Sequence, residues 1–250
     1  MAQSFRKSQI VAEARHSGQV TVDGLVARFG VTPQTIRRDL AELAEDGLLE
    51  RVHGGAIPAS GTANIAHGER ARLNAAGKQA IARAVARDLP GGASVFLNIG
   101  TTTEAVAEAL TGHADLLAVT NNMNVAARLA ATAKVIVTGG TLRPSDGALV
   151  GTLAEASVRQ FKFDYAVIGC SALDDAGDIL DFDIEEVAVS QSIIARSRRV
   201  FLVADHSKLG RPAPARIGSL ADVDALYTDA ELPEGLAARC TEWGTRVKVC

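Results

Sequence analysis

Four short polar segments of this chain carry residues that can do chemistry. Gly100-Thr101-Thr102-Thr103 follows the apolar run 94–99, Asn121-Asn122 follows 116–120, Gly139-Gly140-Thr141-Leu142-Arg143 follows 134–138, and His206-Ser207-Lys208 follows 201–205. The first two open helical stretches, where unpaired backbone N–H groups and hydroxyls suit a phosphate. Arg143 and Lys208 supply cations. Taken singly, each segment is read equally well as a turn or a helix cap. Their repetition after successive strands favours a small anionic metabolite, because ligands of open α/β sheets bind beyond the carboxyl ends of the strands. Asp181, Asp183, Glu185 and Glu186 can accept hydrogen bonds from the hydroxyls of such a ligand, or can simply be a solvated first helical turn.

A second constellation lies nearer the N-terminus. Thr32 is placed to cap a helix that Pro33 opens at its first position. In that helix Ile36, Leu40 and Leu43 recur at i, i+4 and i+7 and form a core stripe, which leaves Gln34, Thr35, Arg37 and Arg38 outside it. Arg and Gln are the side chains that make paired hydrogen bonds to guanine and adenine, and either can hold phosphate. Residues 50–56, with Arg51, His53, Gly54 and Gly55, predict a β wing able to meet a DNA backbone. Two short helices precede: one over 4–16 with Phe5, Ile10, Val11 and Ala14 inward, and one capped by Thr21 with Leu25, Val26 and Phe29 inward, ended by Gly30. Together these parts predict a winged helix-turn-helix over residues 1–57 that binds double-stranded operator DNA.

The charge balance limits how that binding can work. The formal net charge is −3, and within residues 1–57 seven Lys and Arg are matched by seven Asp and Glu. Bulk attraction to nucleic acid is thereby excluded, and affinity must come from where the arginines are placed. Residues 58–77 show no sustained apolar period and read as a linker. From residue 78 apolar runs alternate with helical stretches, which predicts a mainly parallel sheet flanked by helices, with strands at 94–99, 116–120, 134–138, 164–170, 199–204 and 224–228. The fold class is therefore α/β, with the sensing domain over 78–250. No apolar run is long enough for a membrane span, and the first residues lack the core of a secretion signal, which predicts a cytoplasmic protein. The three cysteines, Cys170, Cys240 and Cys250, have neither disulfide nor zinc spacing. No metal, no cofactor and no catalytic residue is expected.

The segment VTPQTIRRDLAELAEDGLLERVHGGA, residues 31–56, resembles the hallmark of the DeoR family of bacterial transcriptional regulators. The resemblance continues through GTTT, TNN, GG-x-x-R, IGCSALD and DHSKLG. It implies that Thr32, Gln34, Thr35, Arg37 and Arg38 engage operator DNA, with Arg51 and His53 in the wing. It also implies that the C-terminal domain is a sugar-phosphate sensor similar in fold to ribose-5-phosphate isomerase. Gly100, Thr101, Thr102, Thr103, Asn121, Asn122, Gly140, Arg143, Asp183, Glu185 and Lys208 are then the effector-binding candidates. Within the family, the acidic segment 179–187 and VADHSKLGR point to sn-glycerol 3-phosphate as effector, and to a dimeric or tetrameric repressor released from its operator by that ligand. Two alternatives stay open: a regulator of the same build answering to another sugar phosphate, and a domain that retains isomerase-like activity. Three residues depart from the family pattern. Asn98 stands where an acid is usual, Ala172 where glycine is common, and Ser190 where a basic residue is common.

Overall fold

The computed structural model describes the backbone of all residues except 1, 18–19, 47, 53 and 59–66. It divides into two units, 1–65 and 66–250. In the first, α1 (Ala2–Ser17), β1 (Val20–Thr21), α2 (Val22–Phe29) and α3 (Pro33–Glu45) are followed by the wing strands β2 (Leu49–Val52) and β3 (Gly55–Pro58). The three strands pair antiparallel in the order β1-β3-β2. Ile10, Val11, Ala14, Leu25, Ile36, Leu40 and Leu43 share one buried cluster, as the helical periods predict, while Val26 and Phe29 are only partly covered. The caps form as their residue types dictate. Thr21 Oγ1 accepts from Gly24 N at 3.1 Å, and Gly30 ends α2 in the left-handed region at φ 64°. Asp39, one of the acids that a charge count treats as solvated, is buried and takes Arg6 Nε at 2.6 Å.

The second unit begins with α4 (His67–Arg72) and α5 (Ala75–Asp88), so the stretch from residue 67 on, expected to be linker, is largely helical. The sequence shows no apolar period there because polar contacts hold α4. His67 Nε2 meets Glu104 at 2.7 Å, and the buried Lys78 ammonium donates to the carbonyls of Leu73, at 2.7 Å, and Arg70.

The main sheet then builds from β4 (Ser94–Leu97), α6 (Thr101–Ala109), β5 (Leu117–Thr120), α7 (Met123–Leu129) and β6 (Lys134–Val137). A hairpin, β7 (Thr141–Arg143) and β8 (Ala148–Val150), and α8 (Thr152–Val158) lead to β9 (Phe163–Ile168). After β10 (Ala172–Leu173), β11 (Asp178–Asp181) and α9 (Ile184–Ala195) come β12 (Ser197–Val203), β13 (Ala215–Ser219), β14 (Ala225–Thr228), α10 (Glu234–Trp243) and β15 (Arg246–Val249). Seven strands pair in the order β15-β14-β12-β9-β4-β5-β6, every pair parallel. The chain runs outward from β4 in one direction and from β9 in the other, so the switch point of the sheet falls between these two neighbours.

Two large apolar clusters sandwich the sheet, one containing Phe96, Ile168 and Leu202 and the other Val95, Val167 and Phe201, as adjacent residues of one strand must face opposite sides. The six predicted strands are present within a residue or two. The hairpin, the small antiparallel sheet β10-β11-β13 and β15 were not anticipated: most are too short to show a period. Among the described residues, no helix is long and apolar enough to cross a membrane.

Candidate functional site

The surface of α3 takes the form its sequence predicts. Thr32 adopts the extended cap geometry, and its Oγ1 accepts from Thr35 N at 3.2 Å and lies 2.9 Å from Thr35 Oγ1. Gln34, Arg37 and Arg38 are exposed and Thr35 is half-buried. Arg38 is held by an i, i+4 contact, Nε donating to Glu42 Oε1 at 2.9 Å. Glu42 also pairs with Lys7, and these two hydrogen bonds draw its pKa below the usual carboxylate range. The wing exposes Arg51, and its turn passes through Gly54 at φ 79°. His53, expected to contact DNA, lies outside the described residues.

In the second unit the polar segments gather where the parallel strands end. Asn98, leaving β4, is fully buried: its Oδ1 accepts from Ile99 N at 2.7 Å and its amide donates to Ser190 Oγ on α9 at 2.9 Å. Gly100, at φ 141°, turns the chain into α6, and Thr103 Oγ1 donates back to the Gly100 carbonyl at 2.6 Å. Thr102 and Thr103 are buried, whereas Thr101 is partly open beside a groove that also exposes Lys78, Glu104 and Arg128. Asn122 Oδ1 caps α7 by accepting from Asn124 N at 2.7 Å. Asn121 donates to the Leu149 carbonyl at 3.3 Å, and its buried Oδ1 has no partner. Gly140, at φ 134°, lies where a Cβ would meet the Val150 carbonyl oxygen at 2.8 Å, so it serves the close approach of the hairpin.

Arg143 differs from expectation. It donates to Asp146 at 2.9 and 2.7 Å, to Glu186 at 2.8 Å and to Asp183. These bonds, Asp146 first, hold its pKa above the usual arginine range. Its charge is therefore matched within the protein, and it organises acids instead of awaiting an anion. Asp183 and Glu186 face it, while Glu185 is exposed and offers its backbone N–H to the Asp183 cap at 2.9 Å. Burial and the nearby Asp181 push Glu186 up to about 7. Four carboxylates around one guanidinium cannot all ionise cheaply.

The cations without a matched carboxylate lie elsewhere. Lys208 follows β12, and burial lowers its pKa, with Arg211 and Arg70 adding repulsion. Burial likewise lowers Arg211, again with repulsion from Arg70. Among the described residues neither Lys208 nor Arg211 makes an ion pair, and Arg211 lies 5.7 Å from the ring centre of Phe182. Beside them, Asp205 is fully buried with Oδ2 free of hydrogen bonds and 4.0 Å from the Lys78 ammonium. The Cys170 thiol, also in this cluster, is pushed by burial up to about 12. The sheet edge thus carries cations on one side and carboxylates on the other.

Arg70, Lys78, Glu104, Asp146 and Asp205 had not been singled out as site residues, nor had Arg211, although it closes the DHSKLGR segment. Arg70 and Lys78 sit in or beside a stretch without apolar period, and only the charge density of Glu69-Arg70-Ala71-Arg72 hints at them. No group of three or more His, Cys, Asp or Glu among the described residues is arranged to hold a metal ion.

Comparison with known proteins agrees with both halves. Residues 6–62 match the DeoR-like helix-turn-helix domain and residues 73–230 the DeoR C terminal sensor domain. The chain is 42% identical over 252 residues to the glycerol-3-phosphate regulon repressor of Escherichia coli (strain K12), covering all of both chains. It is 43% identical to the protein of the same name from Haemophilus influenzae, covering 98% of that chain and all of this one. It is 39% identical to the HTH-type transcriptional repressor CsqR of Escherichia coli (strain K12), over 94% of this chain and 90% of that one. Among solved structures, a ribose-5-phosphate isomerase in complex with phospho-erythronic acid aligns with 53% of this chain and 52% of that one, at 16% identity and a TM-score of 0.40. With a capped recognition helix in one unit and a polar sheet edge in the other, both matched by the family's two domains over nearly their full extent, the chain belongs to the DeoR family of helix-turn-helix transcriptional regulators.

Proposed function

We propose that the protein is a DNA-binding transcriptional repressor of glycerol and glycerol-3-phosphate metabolism genes, released from its operator by sn-glycerol 3-phosphate. In this reading a homo-oligomer presents two helix-turn-helix units to operator half-sites, with Gln34, Thr35, Arg37 and Arg38 in the major groove and Arg51 at the backbone. The ligand binds the operator-incompetent form more tightly, since equal affinity for both forms shifts nothing. The effector is supported by one observation above the rest: a sheet edge with unpaired cations at Lys208 and Arg211 beside carboxylates at Asp181, Asp183 and Glu186. A short phosphorylated polyol has the complementary ends, an anion and hydroxyl donors. Sensing requires no turnover, and the role is regulatory instead of enzymatic.

Thermal unfolding with a panel of ligands tests the effector. Stabilisation follows RT ln(1 + [L]/Kd), about 2.7 kcal/mol at a hundredfold excess over Kd. At equal concentration sn-glycerol 3-phosphate should raise Tm more than ribose 5-phosphate or other sugar phosphates, and glycerol should leave it unmoved. A larger shift with another sugar phosphate reassigns the effector.

A further inference from the structure

Arg70 is an unusual residue to find in the first helix after the DNA-binding unit. Its side chain is only 15% exposed, and its Nε is buried with no hydrogen-bond partner. Its one carboxylate contact, to Asp146, is long at 3.5 Å, and Asp146 already accepts two shorter bonds from Arg143. The helix that carries it is pinned by polar contacts on every side. His67 binds Glu104, the Lys78 ammonium holds the carbonyls of Arg70 and Leu73, and Asn74 donates to Asp229 at 2.6 Å, which in turn accepts from His206 N at 2.7 Å. Arg70 is thereby held against the segment that follows β12.

That segment brings Lys208 and Arg211, neither of them ion-paired among the described residues. Three cations with five or more unused donors stand together, and burial and their mutual repulsion already strain them toward losing charge. An arrangement of this kind is costly when empty and is relieved by an anion of more than one charge. Two planar guanidinium forks and one ammonium match the three terminal oxygens of a phosphate monoester. A monovalent carboxylate would leave part of the charge unmatched.

We propose that Arg70, Lys208 and Arg211 form the subsite for the phosphoryl group of the effector, and that Arg70, carried by the helix nearest in sequence to the DNA-binding unit, makes occupancy act directly on the interdomain segment. The inference rests on the effector reading above and adds where the phosphoryl group sits and which element reports it. The anion is placed away from Arg143, whose donors are taken, and coupling starts at a residue four positions beyond the end of the chain stretch that joins the two units.

The full-length protein tests both parts with inorganic phosphate and sn-glycerol 3-phosphate, at ionic strength held constant with chloride. Arg211→Gln and Arg70→Gln should each weaken binding of both ligands about ten- to a hundredfold, the range for a lost charge-assisted hydrogen bond. Arg211→Gln removes no ion pair and keeps the subsite testable if Arg70→Gln folds poorly, and Arg70→Lys should recover part of the affinity. At saturating ligand Arg211→Gln should release operator as fully as the wild type, whereas Arg70→Gln should release it incompletely. Wild-type affinity for inorganic phosphate in Arg211→Gln overturns the subsite. Full operator release by Arg70→Gln at saturation overturns the coupling. A wild-type protein that binds inorganic phosphate through these residues yet keeps its operator in sn-glycerol 3-phosphate refutes the effector reading and the coupling while confirming the subsite.

Discussion

The side-chain amide of Asn98 donates to Ser190 Oγ at 2.9 Å, and both residues are buried. These are two of the three positions at which the sequence departs from the family pattern of an acid and a base. The departures are therefore one event: a neutral hydrogen bond joins β4 to α9 at the switch point, where the pattern would place opposite charges.

A carboxylate at position 98 alone would be buried facing a hydroxyl with no counter-charge. Asn98→Asp should destabilise the sensor unit by about 1–3 kcal/mol, the cost of an uncompensated buried polar change. Asn98→Asp with Ser190→Lys should recover much of the loss. Urea unfolding of the four proteins of this double-mutant cycle measures the coupling, and additive losses would show that the two positions are independent.

Arg38 and Glu42 make a second pair with a consequence. The guanidinium that reaches for DNA is tied to an acid one turn away, and Glu42 also takes Lys7. Glu42→Gln should tighten operator binding several-fold by freeing Arg38 and removing a negative charge near phosphate, while Arg38→Ala should weaken it and lower the salt slope by about one. Fluorescence anisotropy across a range of salt concentrations reads both effects.

Glu186 predicts the pH behaviour of the sensor unit. Its ordinary pKa near 4.5 rises in the folded chain to about 7, so between these values the folded form binds more protons than the unfolded form. Stability contributed by this residue is present below about 4.5 and declines as pH rises toward 7. Glu186→Gln should flatten that part of the Tm profile between pH 5 and 8. An unchanged slope would show that Arg143 keeps Glu186 ionised.

Most of the architecture was readable from the chain. The helix caps at Thr21 and Thr32, the core stripe of α3 and the six longest parallel strands follow from local residue types and apolar periods, which the tertiary structure leaves unaltered. The candidate site was only half readable. Lys208 could be named because a cation just beyond a strand end is placed by topology, yet Arg143 could not be separated from it, because the acids that engage Arg143 are 3, 40 and 43 residues away. Arg70 was hidden for a related reason. Helix α4 is anchored by hydrogen bonds to residues far along the chain, and such contacts leave no period in the sequence.

The central claim is that a phosphorylated metabolite at the sheet edge governs the grip of the recognition helix on DNA. The most direct test is an anisotropy titration of the full-length protein on its labelled operator with sn-glycerol 3-phosphate at constant ionic strength. Operator affinity should fall at least fivefold, the low end of ordinary allosteric coupling, and Lys208→Gln should need far more ligand for the same release. Affinity unchanged at millimolar ligand, in a protein whose operator binding is otherwise normal, would contradict it.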